Sequence, residues 1–328
     1  MLQLSTGIPN CREGRLHPVN SISIDWILKV AKAAEDLGYD GLWANEFAVT
    51  EAGVAKQFVE AGRYFDPMCV LSAVAISTER IRLSTATLVL PMHEPILLAK
   101  QAATIDWLSG GRLTLGFGLG GSLEQYRRLF GAVDHPNRAD MMDEYLGALR
   151  VLWTDRKATF EGTWTRFSDA ETAPKPLQTP LPIYLAGDAD GVFRRIAKFA
   201  QGWIDSHSST EEMEQKIATI RGYMEAEGRG GDDLAVARQV YVAVAQTDEG
   251  AEAIRDRALS DGRYEGVPIA EPPGERVVVG SYATVTERLR DYIAAGVTEL
   301  CAVMYARDLE EHLDQMRAFR TEVAPHLT

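Results

Sequence analysis

The sequence predicts a (β/α)8 TIM barrel. Three observations carry that expectation: short apolar runs alternate with longer amphipathic stretches, the strand signals number eight, and the order is strand then helix from end to end. The first strand falls at 2–8. Residues 23–38 then carry apolar positions at helical spacing and stop at Gly38, and "GLWA" opens a second strand at 41–45. A helix at 67–77, a third strand at 81–90, a helix at 95–108 and a fourth strand at 113–118 continue the pattern. A helical region follows at 123–153, split by a turn at Pro136.

Within 155–180 the stretch "ATFEGTWTRF" places Glu161-Gly162 between alternating runs and reads as a small hairpin insertion, so residues 1–328 are expected to form one barrel domain. Strands five to eight are read at 182–186, 202–206, 235–245 and 299–305, with a closing helix from 309 to about 323. The Gly- and Pro-rich run "GRYEGVPIAEPPGE" at 262–275 is expected to be a lid loop over the site, extending to 281.

The 328 residues carry 34 Lys and Arg against 47 Asp and Glu, a net charge of −13. Such a surface repels nucleic acid and anionic membrane, so neither is an expected partner, and any anionic ligand needs a local positive site. Cys11, Cys69 and Cys301 lie far apart without a C-x-x-C pair, which argues against a disulfide framework and a thiolate metal site. The amino-terminal "MLQLSTGIPNCREGR" lacks a signal-peptide pattern and no window holds 18 uncharged apolar residues, so a cytoplasmic protein is expected.

In a β/α barrel the ligand site lies at the carboxyl ends of the strands. That rule selects Asn45 and Glu46 after strand two, Thr85 and Thr87 within strand three, Gly118, Gly120 and Gly121 after strand four, Gly187 and Asp188 after strand five, and His207 after strand six. Turn chemistry alone is the commoner explanation for any one of them, so the residues carry weight as a set. "GFGLGG" fits G-x-G-x-x-G, but no acid stands where a dinucleotide ribose would need it. The glycines still let a ligand approach backbone. Glu46 at the barrel mouth suits proton transfer, as do His93 and His207. Neither histidine has metal-ligand spacing, and no metal is expected.

The segments "AEDLGYDGLWANE", "RIRLSTATLVLPMHEPILLAKQAATIDWLSGGRLTLGFGLG", "RADMMDEYLGALRVLW" and "VGSYATVTERLRDYIAAGVTEL" resemble, in order and over nearly the whole chain, the luciferase-like monooxygenase family. That family includes bacterial luciferase, flavin-dependent monooxygenases and deazaflavin (F420)-dependent reductases and dehydrogenases. The resemblance implies a cofactor ring across the barrel mouth against strands two to four and a phosphate near the loops after strands four and five. Arg138 matches the family's phosphate-binding arginine, and Gly187, Asp188 and Ala189 match its phosphate loop, although Asp188 stands where a small hydroxyl residue is common. A non-proline cis peptide is implied near Ala86-Thr87, as a bulge supporting the ring.

Two departures stand out: Phe47 replaces the histidine that many relatives carry after the acid of strand two, and Gly121 replaces a glutamate found in some deazaflavin dehydrogenases. The mouth is therefore expected to be more apolar and roomier. The primary reading is an oxidoreductase that uses reduced F420 for hydride transfer to an electrophilic C=C, C=N or C=O of a small organic substrate, with Glu46, His93 or His207 as proton donor. The alternatives are an FMN-dependent monooxygenase supplied by a separate flavin reductase, and a non-catalytic flavin-binding barrel. Relatives pair through helices two and three, and apolar residues on more than one face of 67–77 and 95–108 predict a homodimer.

Overall fold

The computed structural model describes residues 2–49, 62–120, 137–205, 207–259 and 276–327. β1 (Gln3–Gly7), β2 (Gly41–Ala44), β3 (Arg82–Thr85) with its continuation β4 (Leu88–Val89), and β5 (Leu113–Gly118) lie side by side and parallel. An antiparallel hairpin, β6 (Ala158–Glu161) and β7 (Arg166–Ala170), follows. The chain then returns through β8 (Ile183–Ala186), β9 (Gly202–Asp205) and β10 (Ala235–Ala245), adds β11 (Val277–Ser281), and ends its sheet with β12 (Glu299–Met304). Pairing of β8 with β9, β9 with β10, β10 with β12 and β12 with β1 closes an eight-position parallel barrel.

The covering helices are α1 (Ile24–Asp36), α2 (Pro67–Ser77), α3 (Pro95–Ser109), α4 (Arg138–Thr154), α5 (Asp190–Phe199), α6 (Thr210–Ala226), α7 (Asp248–Leu259), α8 (Tyr282–Ala294) and α9 (Leu309–Ala318). Their ends follow local chemistry. The Ser23 hydroxyl accepts from the Trp26 N–H to start α1, and the Glu94 carboxylate accepts from the Leu97 N–H beside Pro95 to start α3. Gly110, at φ 66°, ends α3 in the left-handed conformation that a side chain disfavours.

Alternation along each strand separates two cores. Leu42, Leu83, Leu115, Phe117, Leu185, Val240 and Leu300 point outward and are buried beneath the helices. Trp43, Tyr184, Ile204, Ala237, Tyr241, Cys301 and Val303 fill the barrel itself. At the foot, Glu299 accepts from the Ser5 hydroxyl at 2.7 Å and the Trp43 indole at 3.0 Å and pairs with Arg82 at 3.2 Å, so the buried carboxylate is fully engaged.

Three expectations are corrected. The third strand is not continuous over 81–90: it breaks at Ala86-Thr87, resumes for two residues and turns through Leu90–Met92. The closing helix is regular only over Leu309–Ala318, then widens into a π turn at Phe319–Val323. The last residues assigned to the lid, 277–281, form β11, which pairs with the upper half of β10 above the end of β9. Apolar Val277, Val278 and Val279 gain a ladder there that the preceding Gly and Pro residues concealed. The remainder of that segment, 262–275, lies outside the described residues, as do Gly121 and the Pro136 turn.

The interruption is accommodated by glycine. A Cβ on Gly116 would collide with the Thr85 carbonyl oxygen and lie 2.8 Å from Ile204 Cδ1. Gly116→Ala should therefore cost about 2 kcal/mol or more, read as a lower midpoint in urea denaturation.

Candidate active site at the barrel mouth

The site is organised by the break in the third strand. At Ala86-Thr87, where the cis peptide was expected, the bond is cis. The Ala86 N–H donates to the Ala44 carbonyl at 2.7 Å, and its carbonyl accepts from the Asn45 side-chain amide. Asn45 is fixed in turn by Asn10, whose side-chain oxygen accepts from the Asn45 N–H at 3.1 Å while its amide donates to the Asn45 carbonyl at 2.7 Å. The Thr85 hydroxyl spans to β5, donating to the Gly116 carbonyl at 2.9 Å and accepting its N–H at 2.8 Å. Asn45 and Thr85 are therefore buried scaffolding, whereas Ala86 and Thr87 are half-exposed at the mouth.

Glu46 and His93 are brought together. One Glu46 oxygen accepts the Val89 N–H at 2.6 Å and the other lies 2.8 Å from His93 Nε2. The carboxylate is 6% exposed and the imidazole 18%, so bulk water screens their pairing weakly. Burial by itself lowers the His93 pKa, but the Glu46 hydrogen bond and charge, aided by Asp66, outweigh it and raise it above the ordinary value. His207 is not part of this group. It is exposed beyond the end of β9, where partial burial and the Arg276 charge hold its pKa below the ordinary value despite Asp205 and Asp188.

The other side of the mouth carries two uncapped helix ends. Neither Asn137 before α4 nor Ala189 before α5 supplies a side-chain cap, so early N–H groups of both helices are left to other partners. Arg138, the first residue of α4, donates to the Leu119 and Gly120 carbonyls at 2.8 and 3.1 Å, tying the helix to the glycine turn after β5. Gly118 allows Thr87 to approach, since a Cβ there would sit 2.8 Å from the threonine hydroxyl, and Gly120 has φ 79°. Gly187, Asp188 and Ala189 are all exposed at the α5 end, with the Asp188 carboxylate 4.0 Å from Lys216 Nζ.

Sequence reasoning missed Arg12, Gln239, Tyr241 and Arg276. Arg12, 5% exposed, donates to the Gln239 side-chain oxygen at 3.1 Å and lies over the rings of Tyr241 and Phe47, 5.4 and 5.8 Å from their centroids. The signal available was the inward parity of Gln239 and Tyr241 within the apolar run of β10. A cleft of about 540 Å3 at the opposite end of the barrel is lined by Arg82, Tyr184 and Arg112, residues around the barrel floor.

A closed β/α barrel whose third strand breaks at Ala86-Thr87, beside a carboxylate–imidazole pair and two helix ends without a side-chain cap, places its candidate site at the strand ends. A profile of luciferase-like monooxygenases matches residues 3–299, and the chain belongs to that family. It is 35% identical over 183 residues to an uncharacterised protein of Mycobacterium tuberculosis, covering 54% of this chain and 62% of the relative. It is 26% identical over 266 residues to the FMNH(2)-dependent dimethylsulfone monooxygenase of Pseudomonas putida, covering 79% of this chain and 70% of that one. Among solved structures, the monooxygenase RslO1 of Streptomyces bottropensis superposes with a TM-score of 0.82 at 20% identity over 100% of both chains. The coenzyme F420-dependent tetrahydromethanopterin reductase of Methanopyrus kandleri superposes at 0.74 and 18%, over 99% of this chain and 100% of that one.

If Glu46 sustains the charge on His93, Glu46→Gln should lower the His93 pKa, followed by NMR of the imidazole protons. In the wild type the raised folded-state pKa means that the pair stabilises fully below the ordinary value of 6.5 and that this contribution is lost as pH rises through the raised value.

Proposed function

We propose that this chain is an oxidoreductase that binds reduced F420 across the barrel mouth and directs hydride to an electrophilic C=C, C=N or C=O of a small organic substrate. The observation that carries the reading is the part-buried Glu46–His93 pair beside the strand break at Ala86-Thr87, two half-exposed residues at the mouth. Of the cofactor residues, Ala86 and Thr87 are half-exposed at the mouth, Gly118 and Gly120 shape the turn that packs on Thr87 and Val89, and Arg138 with the α4 and α5 ends suits a phosphate. Gly187 and Ala189 flank that end, and Asp188 is compatible with an anion only while its carboxylate stays with Lys216.

When bound, the reduced ring supplies the hydride; the protein supplies position, exclusion of water and one proton. Glu46 orients the His93 ring through its contact with Nε2 and holds the imidazole toward its protonated form. Asn45 and Thr85 act one layer below, by fixing the backbone on which the ring rests. His207 is exposed, and partial burial with the Arg276 charge holds it away from its protonated form.

The second reading is an FMN-dependent monooxygenase served by a separate reductase, favoured by the likeness to the dimethylsulfone enzyme over 79% of this chain. Isothermal titration with F420 and with FMN, each oxidised and anaerobically reduced, separates the two. Tight binding of F420 alone supports hydride transfer, preference for reduced FMN supports oxygen chemistry, and binding of neither removes the cofactor assignment. Arg138→Ala should weaken cofactor binding by roughly tenfold with little change in the melting temperature; unchanged affinity would remove its phosphate role.

We also propose a homodimer through α2 and α3, which leave Ile76, Leu97, Trp107 and Leu108 at 72, 65, 53 and 43% exposure. Light scattering should give twice the 36.1 kDa chain mass, and Ile76→Glu together with Leu97→Glu should return it to one chain.

A further inference from the structure

On the flank of the barrel, away from the mouth, α4 and α5 end beside the segment that leads into β8, and a cleft of about 380 Å3 lies between them. That is room for one small organic molecule. Its floor is apolar: Leu146 of α4, Leu181 and Ile183 are all buried there. Two aromatic residues, Trp153 and Phe199, line it and pack against the same core while staying half-buried. The Trp153 indole is held by its N–H, which donates to the Ala99 carbonyl at 3.2 Å, and the Lys198 ammonium lies over the Phe199 ring, 5.0 Å from its centroid.

The charged part of the lining is mainly cationic: Arg150, Lys198 and Arg229 stand against the single carboxylate of Asp232, in a chain whose net charge is −13. Arg229 is the fixed member. Its side chain is 21% exposed, its Nε donates to Asp232 at 2.7 Å, and its Nη1 donates to the Ile196 and Ala197 carbonyls in the last turn of α5 at 3.2 and 2.8 Å. Asp232 and the end of α5 are thereby answered by two of its nitrogens, and Nη2 has no hydrogen-bond partner among the described residues. A guanidinium already locked in place loses little further freedom when a ligand takes its remaining edge. Arg150, exposed on the last turn of α4, has no side-chain hydrogen bond or ion pair among the described residues.

An inorganic anion would leave the aromatic walls and apolar floor unused, and a neutral apolar molecule would cover the cations without pairing them, at a desolvation cost. We propose that this cleft binds a small aromatic carboxylate, its ring on the Leu146 and Ile183 floor between Trp153 and Phe199 and its acid group on Arg229 and Arg150. The planar fork of an arginine matches a carboxylate. This site is independent of the oxidoreductase reading, because its residues lie at helix ends and ahead of β8, at the far end of the strands from the mouth.

The test is direct binding, by titration calorimetry on the whole chain, of naphthoate and indoleacetate against their neutral amides. Arg150→Gln and Arg229→Gln are measured beside the wild type, with circular dichroism melts to establish that each variant is folded. At least one acid should bind, its amide about tenfold or more weaker, and each folded variant should weaken the acid by about fivefold or more. Arg150 is exposed, so its substitution keeps the test decisive if Arg229→Gln, which releases Asp232 and the end of α5, does not fold. Failure of both acids to bind, equal affinity for acid and amide, or acid affinity in Arg150→Gln within about twofold of the wild type overturns the proposal. So does displacement of the acid by FMN or F420, which would move it to the mouth. If the chain binds neither cofactor, the oxidoreductase reading fails, while acid binding that depends on Arg150 still supports the cleft.

Discussion

Much of this mouth follows from one constraint, the need to satisfy the backbone where the third strand leaves the barrel ladder at Ala86-Thr87. A buried strand can stop pairing only if side chains take over its amide groups. Asn45 takes the Ala86 carbonyl, the Thr85 hydroxyl ties the strand end to Gly116, and Glu46 takes the Val89 N–H where pairing resumes. Asn45 and Glu46 follow the neighbouring strand β2, whereas Thr85 belongs to the broken strand, and the break thereby also engages Asn10 through Asn45 and His93 through Glu46. Asn10, Asn45, Thr85, Glu46 and His93 are thus gathered around one strand break.

Charge is distributed around the mouth in a way that opposes the chain's bulk charge of −13. Arg138 donates to the glycine turn, His93 is held toward its protonated form, and Arg12 and Arg276 both contact Tyr241. The field of an acidic surface hinders an approaching anion, and cations in a low-dielectric cleft reverse that locally. The two cationic sides differ in construction. The Arg138 side is built from a helix end and a glycine turn, while the Arg12 side is lined by the rings of Phe47 and Tyr241.

The barrel was legible because its signals are local. Parallel strands buried on both faces read as short apolar runs, and the helices between them carry caps such as Ser23, Glu94 and Gly110 in the sequence itself. What escaped was structure whose partner is distant in the chain. β11 has a strand's composition, yet it follows a Gly- and Pro-rich run and becomes a strand only because β10 outgrows β9 and offers it an unpaired edge. Thr85 looked like a mouth residue by position and is buried because the break turns its hydroxyl onto β5.

By itself, then, the sequence determined the alternation of strand and helix, the family pattern and the set of strand ends from which a site must be drawn, because backbone propensity and hydrophobic period are written in neighbouring residues. The tertiary structure decided which of those ends act together. Glu46 meets His93 across 47 positions, and Arg12 meets Gln239 across 227. Such meetings depend on barrel closure and on which face each strand turns inward, and neither spacing nor composition records them.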